Sequence, residues 1–348
     1  MNLKKNKSQS QLLDSFISHP HFAMHPILVI AKKTLIFNVF NIKRVLICII
    51  LMVIVPVIML LITPANSYIT YEYYITEEFD IEYNIIIATL TETVGIIVFF
   101  YSFGLIFTLF ISVSAAPLIS EELKSGTMII LVSKPINRHG IVIGKLIAIF
   151  LFGIFVSIIS LLIITVVGMI KFPFPDPLQF FLLHFIYSIF IIISFGGLSL
   201  GISCVFKKPR NAILIPIILI IFSYLIGIII KAILVMTTSL GTPSIYDQMQ
   251  LYHFDLSYHL ANLYIALAEL YVPGASNNFV WNNFLLYFGI TKYNTNLYCD
   301  SSGDCSVLHN YIITTNYYLP IISSLILILI GLLLLFGGIL FLKKRDIS

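Results

Sequence analysis

Charged side chains are scarce along this chain. Asp, Glu, Lys and Arg together make up 10% of its 348 residues, whereas hydrophobic residues make up 59%. A soluble domain averages about 25% charged residues, so this chain has too few of them to cover a surface that faces water. The scarcity excludes a soluble globular domain and predicts an integral membrane protein.

The chain also lacks the motifs of common catalytic and metal sites. The stretch nearest to G-x-x-x-x-G-K-[ST], Gly140 to Leu146 (GIVIGKL), is one residue short and has no Ser or Thr to hold magnesium. The motifs H-E-x-x-H and G-x-S-x-G are absent. Four cysteines are too few for a disulfide scaffold or a Cys-rich metal site. We therefore expect no catalytic residue, no cofactor and no metal, and we expect the chain not to be an enzyme.

What the chain does have is a set of long runs without charged side chains. Six of them approach or exceed the length of about 20 residues that an α-helix needs to cross the hydrocarbon of a bilayer. The Gly197-x-x-x-Gly201 spacing in the fourth run would let another helix approach closely. The sequence therefore predicts an all-α fold with six transmembrane helices. They are Val45–Ile62, Val94–Ile119, Leu146–Ile170, Leu178–Phe206, Ala212–Ile230 and Pro320–Leu342.

The connections between these helices divide sharply by charge. One side carries 17 of the 20 Lys and Arg residues and has a net charge of +13, whereas the other side has a net charge of −9. Cytosolic connections of membrane proteins are enriched in Lys and Arg. We therefore expect both termini, and the connection between the second and third spans, to be cytosolic.

This layout divides the chain into four parts. Residues 1–44 form a cytosolic N-terminus, whose second half mixes apolar residues with lysines in a way that suits an amphipathic helix at the membrane surface. Residues 45–236 hold the first five spans. Residues 237–319 form an extracellular insertion of 83 residues, too long for a passive connection. Residues 320–348 hold the sixth span and a basic cytosolic tail.

Two features of the insertion predict local structure. Leucines recur at spacings of four and three residues from Leu256 to Leu270, which predicts an amphipathic helix that ends before Pro273. Cys299 and Cys305 frame a Gly-containing turn in a loop that we expect to be external. We predict a disulfide between these two cysteines, with free thiols as the alternative.

The connection from Ser120 to Lys145 (SEELKSGTMIILVSKPINRHGIVIGK) has more internal order than a plain link. It holds two adjacent acids, four cations, turn-forming Gly and Pro residues, and an apolar centre far too short to cross a bilayer. Anchoring by positive charge alone would account for the cations. It would not account for the acids or for the apolar centre, so we expect this segment to dock on a surface.

The segment resembles the coupling segment of ABC-2 type transporter permeases, most closely those of the copper-enzyme maturation branch. The resemblance implies the permease subunit of an ATP-driven exporter in a prokaryotic plasma membrane. It also implies a separate ABC ATPase subunit as a partner and a second permease chain, in a homodimer or a heterodimer, with no nucleic acid. The residues that match the family's coupling segment are Glu121, Glu122, Gly126, Thr127, Pro135, Arg138, Gly144 and Lys145.

Other functions remain open from the sequence. The chain would also suit a membrane scaffold or signalling subunit that an ATPase moves without transport. An ATP-independent channel or secondary transporter is a further alternative, although the predicted spans hold no carboxylate or cation for ion coupling. His184 in the fourth span is a candidate pathway residue, unless it is simply hydrated near the end of its helix.

Overall fold

Six long apolar helices make up most of the structure. The computed structural model describes residues 26–62, 94–128, 137–171, 177–236, 245–271 and 318–344, residue 288, and four short strands between residues 291 and 314. The helices long and apolar enough to cross a membrane, here called spans 1 to 6, confirm the six predicted spans and the all-α membrane fold. They are Ile42–Ile62, Val94–Ser125, Arg138–Ile170, Pro177–Val205, Pro209–Lys231 and Pro320–Lys344.

Several spans are built from more than one helical piece. Wider π-helical segments interrupt span 2 at Val98–Phe107, span 4 at Ile192–Gly196 and span 5 at Phe222–Ile226. A further π-helical segment, Leu35–Val39, follows the helix Pro26–Thr34, which we call the N-terminal helix. The α-helical pieces are Pro26–Thr34, Ile42–Ile62, Thr108–Ala115, Pro117–Ser125, Arg138–Lys171, Pro177–Ile191, Gly197–Val205, Pro209–Ile221, Gly227–Met236, Ile245–Gln248, Leu256–Tyr271 and Pro320–Lys344, with a 3-10 turn at Leu251–His253.

Spans 2 and 3 are longer than the hydropathy pattern predicts. Span 2 continues past the predicted end at Ile119 to Ser125, and the helix of span 3 begins at Arg138 instead of Leu146. That helix has 34 residues, a length of about 50 Å at 1.5 Å per residue, against about 30 Å of hydrocarbon. Charged residues end an apolar run in the sequence, but helical hydrogen bonding does not stop there. Both ends of the 120–145 segment are therefore helical.

Spans 4 and 6 pack backbone against backbone. A Cβ atom built on Gly197 would lie 2.9 Å from the carbonyl oxygen of Gly331, and one built on Gly338 would lie 2.8 Å from the Cα of Gly201. The hydroxyl of Ser194 donates to the carbonyl of Leu327 across the same contact, at 3.0 Å. The close approach predicted from Gly197 and Gly201 is confirmed, and small residues are what permit it.

The described part of the insertion holds one long helix, preceded by the short helix Ile245–Gln248 and the 3-10 turn Leu251–His253, and two strand pairs. The predicted leucine helix is confirmed as Leu256–Tyr271, called the insertion helix below. The strands were not predicted, because each has only three or four residues and lacks a long alternating pattern. They are Thr291–Asn294 paired antiparallel with Tyr311–Thr314, and Leu297–Cys299 paired antiparallel with Cys305–Val307.

Aromatic side chains fill the core next to the insertion helix. Phe99, Phe103 and Phe107 of span 2 are fully buried. The ring of Phe99 stacks on that of Tyr264 from the insertion helix, with centroids 4.3 Å apart. Stacked aromatic pairs contribute about 0.5–1.5 kcal/mol beyond the area they bury. The insertion helix is therefore part of the core of the bundle and not a separate surface element.

Two adjacent glycines of span 6 provide a test of this packing. Gly338→Ala places a methyl group against the backbone of Gly201, whereas Gly337→Ala meets no heavy atom within 4 Å. We expect Gly338→Ala to lower the free energy of unfolding by about 1–3 kcal/mol, as overpacking does. Gly337→Ala should leave it unchanged or slightly raised. Thermal unfolding of the purified variants measures both, and equal stability of the two would contradict the close contact.

Candidate functional site

The helix Pro117–Ser125 starts a new hydrogen-bonding unit at the end of span 2. Proline at its first position has no N–H, and the first N–H groups of any helix lack partners within it. Ser203 of span 4 supplies an acceptor for two of these N–H groups. Its hydroxyl oxygen accepts from the backbone N–H of Ile119 at 3.1 Å and from that of Ser120 at 3.0 Å. A side chain 84 residues away in sequence therefore caps this helix and joins it to span 4.

The same helix ends at Gly126. This glycine has φ +72°, in the left-handed region that a residue with a Cβ enters only at a cost. It is the residue that follows the last helical position, where left-handed glycines commonly end helices. The glycine in the predicted docking segment is thus required by the turn, and the space around it is open.

Lys145 is a buried charge at this end of the bundle. Its side chain is 1% exposed, and its Nζ atom lies 2.5 Å from Oε2 of Glu122. The same Nζ donates to the carbonyl oxygen of Leu118 at 2.5 Å. Both partners belong to the helix Pro117–Ser125, so one lysine at the start of span 3 holds that helix by an ion pair and a charge-assisted hydrogen bond.

The N-terminal helix crosses span 3 at Gly144. A Cβ atom on Gly144 would lie 2.8 Å from the carbonyl oxygen of Ile27 and 3.0 Å from the Cγ2 of Ile30. Ile30 is buried in this contact. Any larger residue at Gly144 would push the N-terminal helix away from span 3.

Arg138 binds the end of span 6. Its Nη1 donates to the carbonyl oxygens of Leu342 at 2.8 Å and of Lys343 at 3.2 Å. The last carbonyls of a helix lack partners within it, and a cation there also compensates the negative end of the helix dipole. The first two turns of span 3 therefore contact the N-terminal helix, the end of span 2 and the end of span 6. We call the residues Arg138 to Lys145 and the helix Pro117–Ser125 the junction.

The structure separates the predicted coupling residues into two groups. Glu122, Arg138, Gly144 and Lys145 make contacts inside the chain. By contrast, Glu121 and Thr127 are exposed, as is Lys124, which was not among the predicted residues. The hydroxyls of Ser125 and Thr127 lie 2.9 Å apart on the surface. Pro135 lies outside the described residues. Met128, the first residue of the apolar centre, is buried.

His184 lies at the opposite end of the bundle, in the core. Its Nδ1 is 2.9 Å from the carbonyl oxygen of Phe180, and its Nε2 is 3.0 Å from the hydroxyl of Tyr264. That hydroxyl also contacts the carbonyl oxygen of Gly95, at 2.9 Å. The ring is 1% exposed. These contacts join the insertion helix to spans 2 and 4, and they lend no support to the pathway role predicted for His184.

A second buried ion pair, which the sequence analysis missed, joins span 5 to the insertion helix. Nζ of Lys231 lies 2.6 Å from Oδ2 of Asp255 and 2.6 Å from the hydroxyl of Ser257. Asp255 directly precedes the insertion helix and accepts from the backbone N–H of Ser257 at 3.0 Å, as a helix N-cap does. Burial alone would raise the pKa of Asp255. The charge of Lys231 and the hydrogen bonds that Lys231, Ser257 and Tyr246 donate to the carboxylate outweigh burial, so the pKa of Asp255 is lowered.

His259 lies one turn further along the insertion helix. Its Nδ1 is 3.1 Å from the hydroxyl of Ser323 in span 6, and its Nε2 is 3.3 Å from the carbonyl of His253. A carbonyl only accepts, so Nε2 carries a proton. The Ser323 hydroxyl, which itself accepts from Asn262 at 2.8 Å, donates to Nδ1. This arrangement is complete with a neutral ring, and burial lowers the pKa of His259.

The backbone brings the two cysteines of the insertion opposite each other. Cys299 and Cys305 are direct partners in their antiparallel strand pair. Directly paired residues have Cα atoms about 4.5–5.5 Å apart, within the range of about 4.4–6.8 Å that disulfides span. The disulfide stays a prediction. Among the described residues, no group of three or more His, Cys, Asp and Glu side chains is placed to hold a metal ion.

The fold and the junction define a class before any comparison is made. Six spans and an internally bonded junction between spans 2 and 3 indicate a multi-pass membrane protein whose helices are joined to one another at one end. The sequence model described as ABC-2 family transporter protein matches residues 28–346. The chain belongs to this family and is the membrane-spanning permease component of an ABC transporter. Comparison with curated proteins gave no match.

Two serines of span 4 test the capping of the helix Pro117–Ser125. Ser203→Ala removes the acceptor for two N–H groups, and we expect it to lower the free energy of unfolding by about 1–2 kcal/mol, as lost helix caps do. Ser199 is equally buried, and its hydroxyl has no hydrogen-bond partner within the described ranges. Ser199→Ala should therefore be neutral. Thermal unfolding distinguishes the two, and a neutral Ser203→Ala would remove the proposed cap.

Acid should loosen the insertion helix. The ring of His259 has a pKa near 6.5 when exposed and a lower one when docked, so undocking takes up a proton. Docking is therefore fully favoured above pH 6.5 and weakens as the pH falls below that value. The charged and titratable groups around the ring are His253, Asp255, Lys231 and Tyr318. Since the pKa of Asp255 is already lowered, its carboxylate should still be ionised at pH 5.

Hydrogen exchange measures this effect. After correction for intrinsic rates, the amides of Leu256–Tyr271 should exchange faster at pH 5 than at pH 7.5, relative to those of span 4. In His259→Gln this difference between the two pH values should disappear. A wild-type chain whose insertion helix is equally protected at both pH values would show that His259 does not govern docking.

Proposed function

We propose that this chain is the permease subunit of an ATP-driven exporter and that a separate ABC ATPase drives it through the junction. The observation that carries the proposal is the convergence of the N-terminal helix and of spans 2, 4 and 6 on the junction. Movement of the helix Pro117–Ser125 would be transmitted to all of them through Lys145, Ser203, Gly144 and Arg138.

The docking surface for the ATPase would be the exposed side of the same helix. Glu121, Lys124 and Ser125 are exposed and spaced three and four residues apart, so they share one helical face. Thr127 extends this face beyond the turn at Gly126. The opposite face, with Leu118, Ile119 and Glu122, points into the bundle. One face of the helix is thus available to a partner while the other holds the spans.

The charge distribution supports the orientation that this function requires. The junction lies at the same end as the exposed cations of the span 4–5 connection and the end of span 6, and this is the side with a net charge of +13. By the positive-inside rule that side is cytosolic, together with both termini. It is also where an ATPase would find ATP. We further propose a prokaryotic plasma membrane, a dimer of two permease chains, and a place near the copper-enzyme maturation branch.

The missing P-loop supports a separate ATPase. Without that loop the chain has no cradle for the phosphates of ATP. The buried ion pairs at the two ends of the bundle favour mechanical coupling over ion coupling, because each cation is already neutralised by its own carboxylate. A scaffold that an ATPase moves without transport would use the same junction, and only a transport assay distinguishes it from an exporter.

Charge reversal tests the docking surface. We expect Glu121→Lys combined with Lys124→Glu to leave the stability of the chain unchanged, because both side chains are exposed. The same variant should weaken binding of the ATPase about tenfold or more, as reversed charges do when they meet a complementary surface. The measurement is co-purification of a P-loop ATPase from the native host, followed by ATP hydrolysis and transport in reconstituted vesicles.

The control carries two charge changes elsewhere on the same side. Lys207→Glu combined with Lys208→Glu alters two exposed residues between spans 4 and 5 and should retain the ATPase. Normal ATPase binding and transport in the Glu121–Lys124 variant would contradict the proposed surface. ATP hydrolysis by the purified chain alone would contradict the proposed function.

A further inference from the structure

The short segment before the insertion helix exposes several large apolar side chains. It runs from Ile245 to Phe254, and we call it the tip. Met249 is 68% exposed and Phe254 is 88% exposed, and Ile245 and Leu251 are exposed as well. Single exposed apolar residues are common on any protein, but a group of them within so short a segment indicates an interaction surface.

The shape of the tip is set by a turn at Gln250. This residue has φ 51° and ψ 38°, and among the described residues other than glycine it alone has a positive φ. A side chain with a Cβ enters this left-handed region at a cost, so neighbouring contacts must hold the turn. The backbone N–H of His253 donates to the carbonyl oxygen of Gln250 at 3.2 Å, and Nε2 of His253 lies 3.2 Å from its Oε1. The exposed apolar side chains on either side of the turn therefore belong to a built structure.

The other side of the tip is fastened to the bundle. Tyr246 is buried, and its hydroxyl donates to Oδ2 of Asp255 at 2.9 Å. The ring of Tyr252 packs against that of Tyr318, with centroids 5.9 Å apart. Nδ1 of His253 contacts the hydroxyl of the same tyrosine, which lies just before span 6. The tip thus has a buried side and an exposed side, and it lies beside the first turn of span 6.

The length of span 6 sets the level of the tip in the membrane. Its helix of 25 residues extends about 37 Å, which is about 7 Å more than the hydrocarbon thickness of about 30 Å. Lys343 and Lys344 at its last turn account for part of this excess, and the first turn accounts for the rest. The first turn and the tip beside it therefore lie at the boundary between lipid headgroups and acyl chains. Tyrosine rings such as those of Tyr252 and Tyr318 are typical of that boundary.

An apolar stripe continues from this level along span 6. Ile321, Leu325 and Leu329 are exposed and recur at every fourth residue, so they share one face of the helix. Apolar side chains on the outside of a transmembrane helix face the acyl chains of the lipid. The tip lies beside the end of the helix where this stripe begins.

We propose that the tip is inserted into the membrane leaflet opposite the junction and that its exposed apolar side chains contact lipid acyl chains. The level of the tip and its continuity with the stripe of span 6 select lipid as the occupant. The tip contains no Lys or Arg, so it is held by apolar contact and not by attraction to anionic headgroups. Because Phe254 directly precedes Asp255, lipid contact at the tip holds the start of the insertion helix at the membrane surface. The proposal does not depend on the ATPase.

Tryptophan fluorescence tests the insertion, because the chain contains a single tryptophan, Trp281. Phe254→Trp and, separately, Met249→Trp are each combined with Trp281→Phe, and the full chain is reconstituted in phosphatidylcholine nanodiscs. Lipids brominated near the carboxyl end of their acyl chains should quench both tryptophans strongly. Lipids brominated near the terminal methyl group should quench them less, and iodide in the water should quench them weakly. With two reporter positions, the test stands even if one variant does not fold.

A third reporter calibrates the depth. Leu333→Trp in the same background lies near the middle of span 6 and is exposed, so lipids brominated near the terminal methyl group should quench it most. If iodide quenches the two tip variants and brominated lipids do not, the tip lies in water and the proposal is overturned. Quenching by neither would also overturn it, because the tip would then be covered by protein, such as a second copy of this chain.

Discussion

The buried ion pair between Lys145 and Glu122 is the interaction on which the junction depends. A charged ammonium group with no access to water is strongly unfavourable unless a counter-charge and hydrogen-bond acceptors surround it. Lys145 obtains both from one short helix, the carboxylate of Glu122 and the carbonyl of Leu118. The helix Pro117–Ser125 and the start of span 3 therefore cannot separate without leaving a buried charge unpaired. This requirement makes them one mechanical unit.

The remaining contacts extend that unit through the bundle. Ser203 joins it to span 4, and Arg138 joins it to span 6. Spans 4 and 6 are in turn locked together by glycines that leave no room for a side chain. At the far end, Lys231 and Asp255 form a second buried ion pair, in which the carboxylate also caps the insertion helix. Force applied to the exposed face near Glu121 thus has a continuous path to the insertion helix.

Local patterns in the sequence predicted the elements that depend on neighbours along the chain. Hydropathy predicted the six spans, the leucine spacing predicted the insertion helix, and the glycine at 126 predicted a turn. Contacts between distant residues were not predictable in this way. Ser203 is an ordinary serine of a span until Pro117 frees the N–H groups that it binds. Lys145 was predicted to couple to an ATPase only because it matches the family's coupling segment, and only the fold shows that Glu122 reaches it.

The most direct measurement of the account is a double-mutant cycle on the buried pair. Glu122→Gln and Lys145→Met each remove one charge with little change of shape. Glu122→Gln leaves Lys145 buried without a counter-charge and should lower the free energy of unfolding by about 3–5 kcal/mol. Lys145→Met leaves Glu122, which is 20% exposed, and should lower it by less. The double variant removes both charges and should recover much of that loss, so the two effects are strongly non-additive. If they instead add to within about 0.5 kcal/mol, as they do for independent sites, Lys145 does not hold the helix Pro117–Ser125 and the junction is not one unit.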